Sequence, residues 1–332
     1  MRARLTIFIT IVQAILFLGH WFVYATLAYF CGDWAASWEV KLAFGLLSIS
    51  FVAASLRGWY SFHPLVRTFY AAAAVWLGLA SFFFVASIAC WITYALSAIA
   101  GWGWQRNLIA DAMFASAIAA TLCGIVNAAL LRVTRVTVSL KNLPPQWRGR
   151  KAVLVSDLHL GHIRNYGFVR RVVNQIAALQ PDIVLVAGDL YDGVAGDFER
   201  LAEPWKELIA PAAPKRNSRG SQASMPSGNN HATREDWTAP YGVYYIAGNH
   251  EEFYAHAEYL PALLRSGIRV LNNEKVELDG LQIVGVHYRD AVDPERYLSI
   301  LRSLGLDRER TSLLLLHAPV RLSISEQEGI SL

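Results

Sequence analysis

The pattern of apolar and polar positions changes character near residue 131. Before it, apolar residues run on almost without interruption: residues 5–32, 68–105 and 112–131 contain no Asp, Glu, Lys or Arg. About 20 apolar residues in a helix cross the hydrocarbon core, so each run predicts a membrane span. A fourth uncharged run, 42–56, is shorter. Trp38 and Trp59 stand near its ends as interface anchors, and Lys41 and Arg57 are placed to snorkel, which predicts that it crosses as well. The predicted spans are 5–31, 40–57, 70–98 and 109–131, within a transmembrane region 1–131. The first starts behind Arg2 and Arg4, as a cleaved leader would. Its apolar core is too long for a leader and further spans follow, so it reads as a retained helix.

After residue 131 short strands alternate with amphipathic helices. "VTRVTVSL" (133–140) is β-branched and alternating, which predicts a strand, and "NLPPQWRGR" reads as a linker, so 132–150 joins the two halves. Buried strands are predicted at 152–155, in "DIVLVAG", in "YGVYYIAG", at 281–286 and in "SLLLL". Between them, Val169, Val172, Val173, Ile176 and Leu179 fall at helical spacing over 166–180, and Pro181 ends that helix. Helices are also predicted at 197–210, 255–266 and 294–304. The alternation predicts a layered α/β domain over 151–332. Residues 211–240 are rich in Pro, Ser, Gly, Asn and charge; they cannot bury enough apolar area to offset their own ordering and read as a disordered insertion. His231 within it reads as solvated.

Composition agrees with the division. Charged residues make up 17% of the chain and apolar residues 54%, against roughly one quarter charged in a soluble domain. The net charge of +4 calls for no nucleic-acid partner, because much of it is loop Lys and Arg suited to anionic lipid heads. Arg2, Arg4, Arg57, Arg67, Arg132, Arg135 and Lys141 flank the spans on one side, and Lys41 and Arg106 on the other. The positive-inside rule then places both termini in the cytoplasm. Cys31, Cys90 and Cys123 all lie in or beside the apolar half, which leaves no disulfide framework and no cysteine metal site.

The chemistry gathers at strand ends. "SDLHLG" offers Asp157 and His159, "AGDLYDG" offers Asp189, "AGNHEE" offers Asn249 and His250, and "LLLLHAP" offers His317. Each alone reads as a turn, a helix cap or a core histidine. Together they are four strand tips bearing oxygen and imidazole donors, and in α/β sheets ligands bind at the carboxyl ends of strands. A donor set without thiolate suits divalent Mn, Fe or Zn.

In their order and spacing these motifs resemble the calcineurin-like metallophosphoesterases over about residues 150–320, and the multi-pass N-terminal half is similar to the membrane-anchored bacterial branch. The resemblance implies an α/β/β/α sandwich-like domain and two divalent metal ions. Asp157 and His159 would bind the first ion, Asp189 would bridge the two, and Asn249 and His317 would bind the second. His250 would face the substrate phosphate and help its leaving group depart. The implied reaction is hydrolysis of a phosphomonoester, phosphodiester or pyrophosphate bond by a metal-bridging hydroxide. The anchor points to a membrane-proximal substrate, for instance a lipid-linked one. Asp192 would orient its neighbours and Glu251 would support a ligand. His162 reads as a polar loop residue, with a place facing the site as the alternative, His287 as a loop residue near the pocket, and His256 as a surface residue.

The chain departs from the family where a Gly-His-x-His motif should follow His317; it reaches Leu332 without one. Each ion would then lack one protein ligand, and the expectation is a C-terminally truncated, incomplete enzyme. Two other readings fit the same residues. One is a degenerate, catalytically incomplete membrane module that binds or regulates without turnover. The other is a sensor or transporter built on the spans, which hold almost no ionisable residue besides Asp111.

Overall fold

The computed structural model describes residues 2–209, 237–252 and 258–332. His231, His256 and nearly all of the predicted insertion lie outside them. The chain divides into two compact units, residues 1–134 and 135–332.

The first unit is four helices: α1 (Arg2–Cys31), α2 (Trp38–Tyr60), α3 (Pro64–Ile99) and α4 (Arg106–Ala129). All four are long and apolar enough to cross a membrane. Ser37 caps α2, and His63 caps α3 with Pro64 in its first turn, so both helices begin where the sequence supplies a cap. Phe8, Ile15, Leu18 and Val85 point outward. Small residues such as Ala54, Ala86, Cys90, Ala110 and Ala117 are buried between helices, the distribution expected where close packing rather than water exclusion drives association. A count of Asp, Glu, Lys and Arg passes over the polar groups inside the bundle, His20 among them. His20 is buried, with Nδ1 2.7 Å from the Leu16 carbonyl and Nε2 accepting the Trp76 indole N–H at 2.9 Å. One ring proton satisfies both contacts, so His20 serves as a neutral pin between α1 and α3.

The second unit has two sheets. In the first, β1 (Ala152–Val155), β2 (Ile183–Ala187), β3 (Val243–Ile246) and β4 (Arg269–Val270) run parallel in that order. In the second, β5 (Glu274–Leu278) pairs antiparallel with β6 (Leu281–Gly285), which pairs parallel with β7 (Ser312–Leu315). The helices are α5 (Tyr166–Leu179), α6 (Phe198–Ala202), α7 (Tyr259–Arg265), α8 (Tyr288–Val292), α9 (Pro294–Ser303) and α10 (Leu322–Gln327). The two-residue period of β2 sorts the layers. Val184 and Val186 pack with Val169, Val173 and Leu263 of the helices, whereas Ile183 and Leu185 pack with Val276, Leu281 and Ile283 of the second sheet. Val284 packs on Tyr297 and Leu301 of α9 beyond that sheet. The order is α/β/β/α, and β2 is buried throughout because both its faces are covered.

Several local expectations need correction. No residue of 133–140 is in a strand, and Val133, Val136 and Val138 are exposed. Alternation with β-branching only makes a strand where a ladder partner is present, and here none pairs with it among the described residues. The predicted helix 197–210 is the short α6 followed by a 3₁₀ turn at Glu203–Leu208, which Pro204 opens. Of the predicted helix 255–266, α7 forms from Tyr259, and 255–257 lie outside the described residues.

The supposed linker holds a structural anchor. A 3₁₀ turn at Pro145–Trp147 buries Trp147, which stacks on Tyr241 at 4.3 Å and donates its indole N–H to the Leu278 carbonyl at 2.8 Å. Trp147→Ala is expected to destabilise this unit by about 3–5 kcal/mol, the usual cost of truncating a buried Trp. Chemical denaturation of the full chain in detergent, set against Trp147→Phe, measures it. An unchanged midpoint for Trp147→Ala would show that the stack carries no stability.

Candidate metal centre

The tips of β1, β2, β3 and β7 meet at one end of the sheets. Backbone bonds lace the first two loops together: Asp157 N–H donates to Gly188 O at 3.2 Å, His159 N–H to Asp189 O at 2.9 Å, and Leu160 N–H to Leu190 O at 2.8 Å. Arg164 reaches back from below, donating to the carbonyls of Asp157 at 3.0 Å and Leu158 at 3.1 Å. The chain is bent sharply here. Asp157, His159 and Asp189 have φ of 57°, 46° and 49°, a left-handed conformation that Asp and His adopt more readily than most residues. Such strain persists where surrounding contacts enforce it, commonly at functional sites.

Asp189 is buried at the centre. Its Oδ2 lies 3.7 Å from His159 Nε2 and its Oδ1 3.5 Å from His317 Nε2. His159 Nε2 is also 3.8 Å from Asp157 Oδ1, and His317 Nε2 is 3.0 Å from Asn249 Oδ1. Two donors that each bind an ion at about 2.0–2.2 Å are separated by roughly 3–4 Å, so these spacings suit shared ions. All five predicted metal residues are thus brought together, with His250 beside them. Among the described residues, two sets of three have ligand atoms within 4.8 Å of one another: His159, Asp189 and His250, and Asp157, Asp189 and His317. This division is not the one the resemblance implies, which pairs Asp157 with His159. Asp189 is common to both.

The tautomer of His317 tests the fit. Its Nδ1 is 2.8 Å from the Ala187 carbonyl, which can only accept, so Nδ1 carries the ring proton. Nε2 is then a lone pair facing the oxygens of Asn249 and Asp189. Three electron-rich atoms converge, and a cation among them, or a second proton on the ring, reconciles them. The residues present fit a divalent metal.

Carboxylates behind the candidate ligands pack against them. Glu251 is 1% exposed and accepts three backbone N–H groups: Asp189 at 3.0 Å and Gly248 at 2.8 Å on one oxygen, Tyr191 at 3.0 Å on the other. Burial pushes its carboxyl above the ordinary range, while these donors pull the other way. Asp192 Oδ1 lies 3.6 Å from His159 Nδ1 and 3.9 Å from His250 Nδ1, and burial raises its carboxyl against the pull of those histidines. The His250 N–H donates to Asp189 Oδ1 at 2.9 Å, and its ring meets that of His159 edge-on at 4.5 Å.

Two histidines read as loop residues have structural places. His162 is buried, close enough to Asp192 to act on its carboxyl. His287 caps α8 and faces Glu252 with Nε2 at 3.1 Å. Sequence spacing gave no sign of the contacts made by Arg164 and Glu252. Gly188 and Gly248 are the close approach that lets β2 and β3 deliver their tips: a Cβ on Gly188 would lie 2.8 Å from Gly248 Cα.

Comparison with known proteins finds metallophosphoesterases among the relatives of this chain. A protein from Danio rerio called "Transmembrane protein with metallophosphoesterase domain" is 26% identical over 229 residues, covering 63% of this chain and 45% of that protein. An uncharacterized metallophosphoesterase of Campylobacter jejuni is 24% identical over 190 residues, 56% of this chain and 42% of its own length. One from Aquifex aeolicus is 27% identical over 198 residues, 57% and 62% respectively. The chain spans less than half the length of the first two. The four apolar helices and the transmembrane relative together indicate membrane insertion. The profile of the calcineurin-like phosphoesterases matches residues 150–327, the whole stretch from β1 to α10, and the chain belongs to that family.

Proposed function

We propose that the protein is a membrane-embedded phosphoesterase that uses two divalent metal ions, Mn, Fe or Zn, to hydrolyse a phosphomonoester, phosphodiester or pyrophosphate bond. The observation that carries the reading is the position of Asp189, buried and shared by two separate sets of donors. Asp157, His159, Asp189, Asn249 and His317 would hold the ions. When bound, such ions supply a water acidic enough to give hydroxide near neutral pH, and charge to neutralise a phosphate.

The chain's own residues do the rest. Asp189 is fixed through its own N–H by Glu251 and through Oδ1 by the His250 N–H. His250 stands at the edge of the donor set with its imidazole partly exposed, where it can give a proton or hydrogen bond to a departing ester oxygen. Asp192 keeps the rings of His159 and His250 turned to this task.

Membrane lipid is the constant neighbour of the first unit, and a lipid-linked phosphate ester is the natural membrane-proximal substrate. The excess of Arg at the N-terminus, at the adjoining ends of α2 and α3 (Arg57 and Arg67), and after α4 supports a cytoplasmic catalytic unit in the inner membrane. A topology reporter fused after residue 150 tests the sidedness, and an external signal rejects it.

The activity test uses the purified full chain with Mn²⁺ and a chromogenic phosphodiester. Turnover is expected to vanish with chelator and return with metal. Asp189→Asn should lower kcat/KM by more than about 100-fold, since even residues that only support ligands cost about 10–100-fold. His250→Ala should lower kcat by about 100-fold or more while bound metal is retained. Metal-independent turnover, or an Asp189→Asn variant as active as the parent, would reject the site.

A further inference from the structure

One charged cluster beside the metal centre has no part in the reaction above. It joins the loop after β3 to the start of α8. Glu252 is nearly buried and takes two partners, the Nε2–H of His287 at 3.1 Å and the guanidinium of Arg289. The proton on His287 is assigned by its other contact: Nδ1 accepts the Arg289 N–H at 3.2 Å, so Nε2 is the donor. Asn273 steadies the same turn, accepting the His287 N–H at 2.9 Å and donating to Asp290 at 2.6 Å. Between His287 and Arg289, Tyr288 sets its ring edge-on to the ring of His317, 5.9 Å between centres.

Arg289 is therefore tied from two directions to residues that adjoin the donor set. Tyr288, its chain neighbour, touches a predicted metal ligand. Glu252, its ion-pair partner, follows His250 and Glu251 in sequence. Yet the Arg289 side chain is 68% exposed. A guanidinium presents five N–H donors in a planar fork, and one carboxylate oxygen occupies one edge of it. The remaining edge suits phosphate or carboxylate, which arginine binds in pairs of charge-assisted hydrogen bonds.

We propose that Arg289 receives a second anionic group of the substrate, next to the phosphate being cleaved, so that diphosphate-type esters are preferred over isolated phosphodiesters. This rests on the phosphoesterase reading above. Glu252, His287 and Asn273 act as positioning residues: they set the height and direction of the guanidinium and touch no substrate.

Three probes test it with the full chain in detergent and Mn²⁺. Bis(4-nitrophenyl) phosphate carries one charge. ADP-ribose is a soluble diphosphate diester, and CDP-diacylglycerol in mixed micelles is a lipid-linked one. The parent should favour both diphosphates. In Arg289→Ala the ratio of kcat/KM for diphosphate over monoanionic diester should fall about 10–100-fold, the worth of hydrogen bonds to a charged group, chiefly through KM. Arg289→Lys keeps a charge for Glu252 but loses the fork, so it should restore thermal stability and recover only part of the ratio. The two diphosphates distinguish a soluble substrate from a lipid-borne one.

A ratio unchanged in Arg289→Ala, with turnover of all probes falling together, would show that Arg289 only props the loop and would overturn the proposal. So would a parent enzyme that favours the simple diester. Absence of metal-dependent turnover on all three probes and on the monoester 4-nitrophenyl phosphate would instead overturn the phosphoesterase reading, and the proposal with it.

Discussion

Gly248→Ala is expected to abolish metal-dependent turnover while leaving the α/β unit folded. An added Cβ would lie 2.2 Å from Asp189 Oδ1 and 2.5 Å from the Asp189 backbone nitrogen. Neither atom can step aside easily. The nitrogen is bonded to the buried Glu251, and the carboxylate is held by the His250 N–H. Relief must come from separating the loop after β2 from the loop after β3, which moves Asp189 away from Asn249. A displacement near 1 Å at reacting groups costs about 100-fold in rate, and the shared ligand should lose metal as well. The core residues of β2 and β3 lie deeper, so cooperative unfolding should persist. Metal content by elemental analysis, turnover and an unfolding curve on the same preparation check the three parts. Full metal content with turnover within threefold of the parent would mean that the two loops do not need their close contact.

How much of this was readable in the sequence varies with the range of the forces involved. The four long apolar helices were legible because length and apolarity decide them locally. The strand-end donors were legible because each sits directly after a buried apolar run, and four such coincidences in order are rare. Val184 and Val186 against Ile183 and Leu185 follow from the two-residue period once both faces of β2 are covered. What failed depended on partners far away in the chain. The segment 133–140 has every local feature of a strand and no ladder to join. Trp147 looked like linker because its stacking partner is Tyr241 and its acceptor is Leu278. His20 was hidden by a count of formal charges, although Trp76 and Leu16 satisfy it inside the bundle. The cluster of Glu252, His287 and Arg289 has no spacing signature at all, since the strands β4, β5 and β6 separate its two halves.

Glu251 has a larger structural role than its place beside His250 suggested. Adjacency to His250 suggested a helper for one ligand. Its carboxylate instead joins three backbone N–H groups on two loops, those of Asp189, Tyr191 and Gly248. Glu251→Ala leaves all three donors buried and unmatched. At about 1–3 kcal/mol for each unsatisfied group, a loss of roughly 3–5 kcal/mol is expected after partial relaxation. Glu251→Gln is more informative because it keeps size and shape. Its carbonyl oxygen can replace the carboxylate oxygen that serves Asp189 and Gly248, but its amide then turns an N–H against that of Tyr191. One bond is lost and two donors oppose each other, so Gln should cost about 2–3 kcal/mol and weaken metal binding about 10–100-fold. Unfolding midpoints and metal titrations of the two variants should therefore fall in the order parent, Gln, Ala. If Gln matched the parent in both measurements, the three N–H groups would not depend on the carboxylate, and the loops of β2 and β3 would be held at the metal centre by their backbone contacts alone.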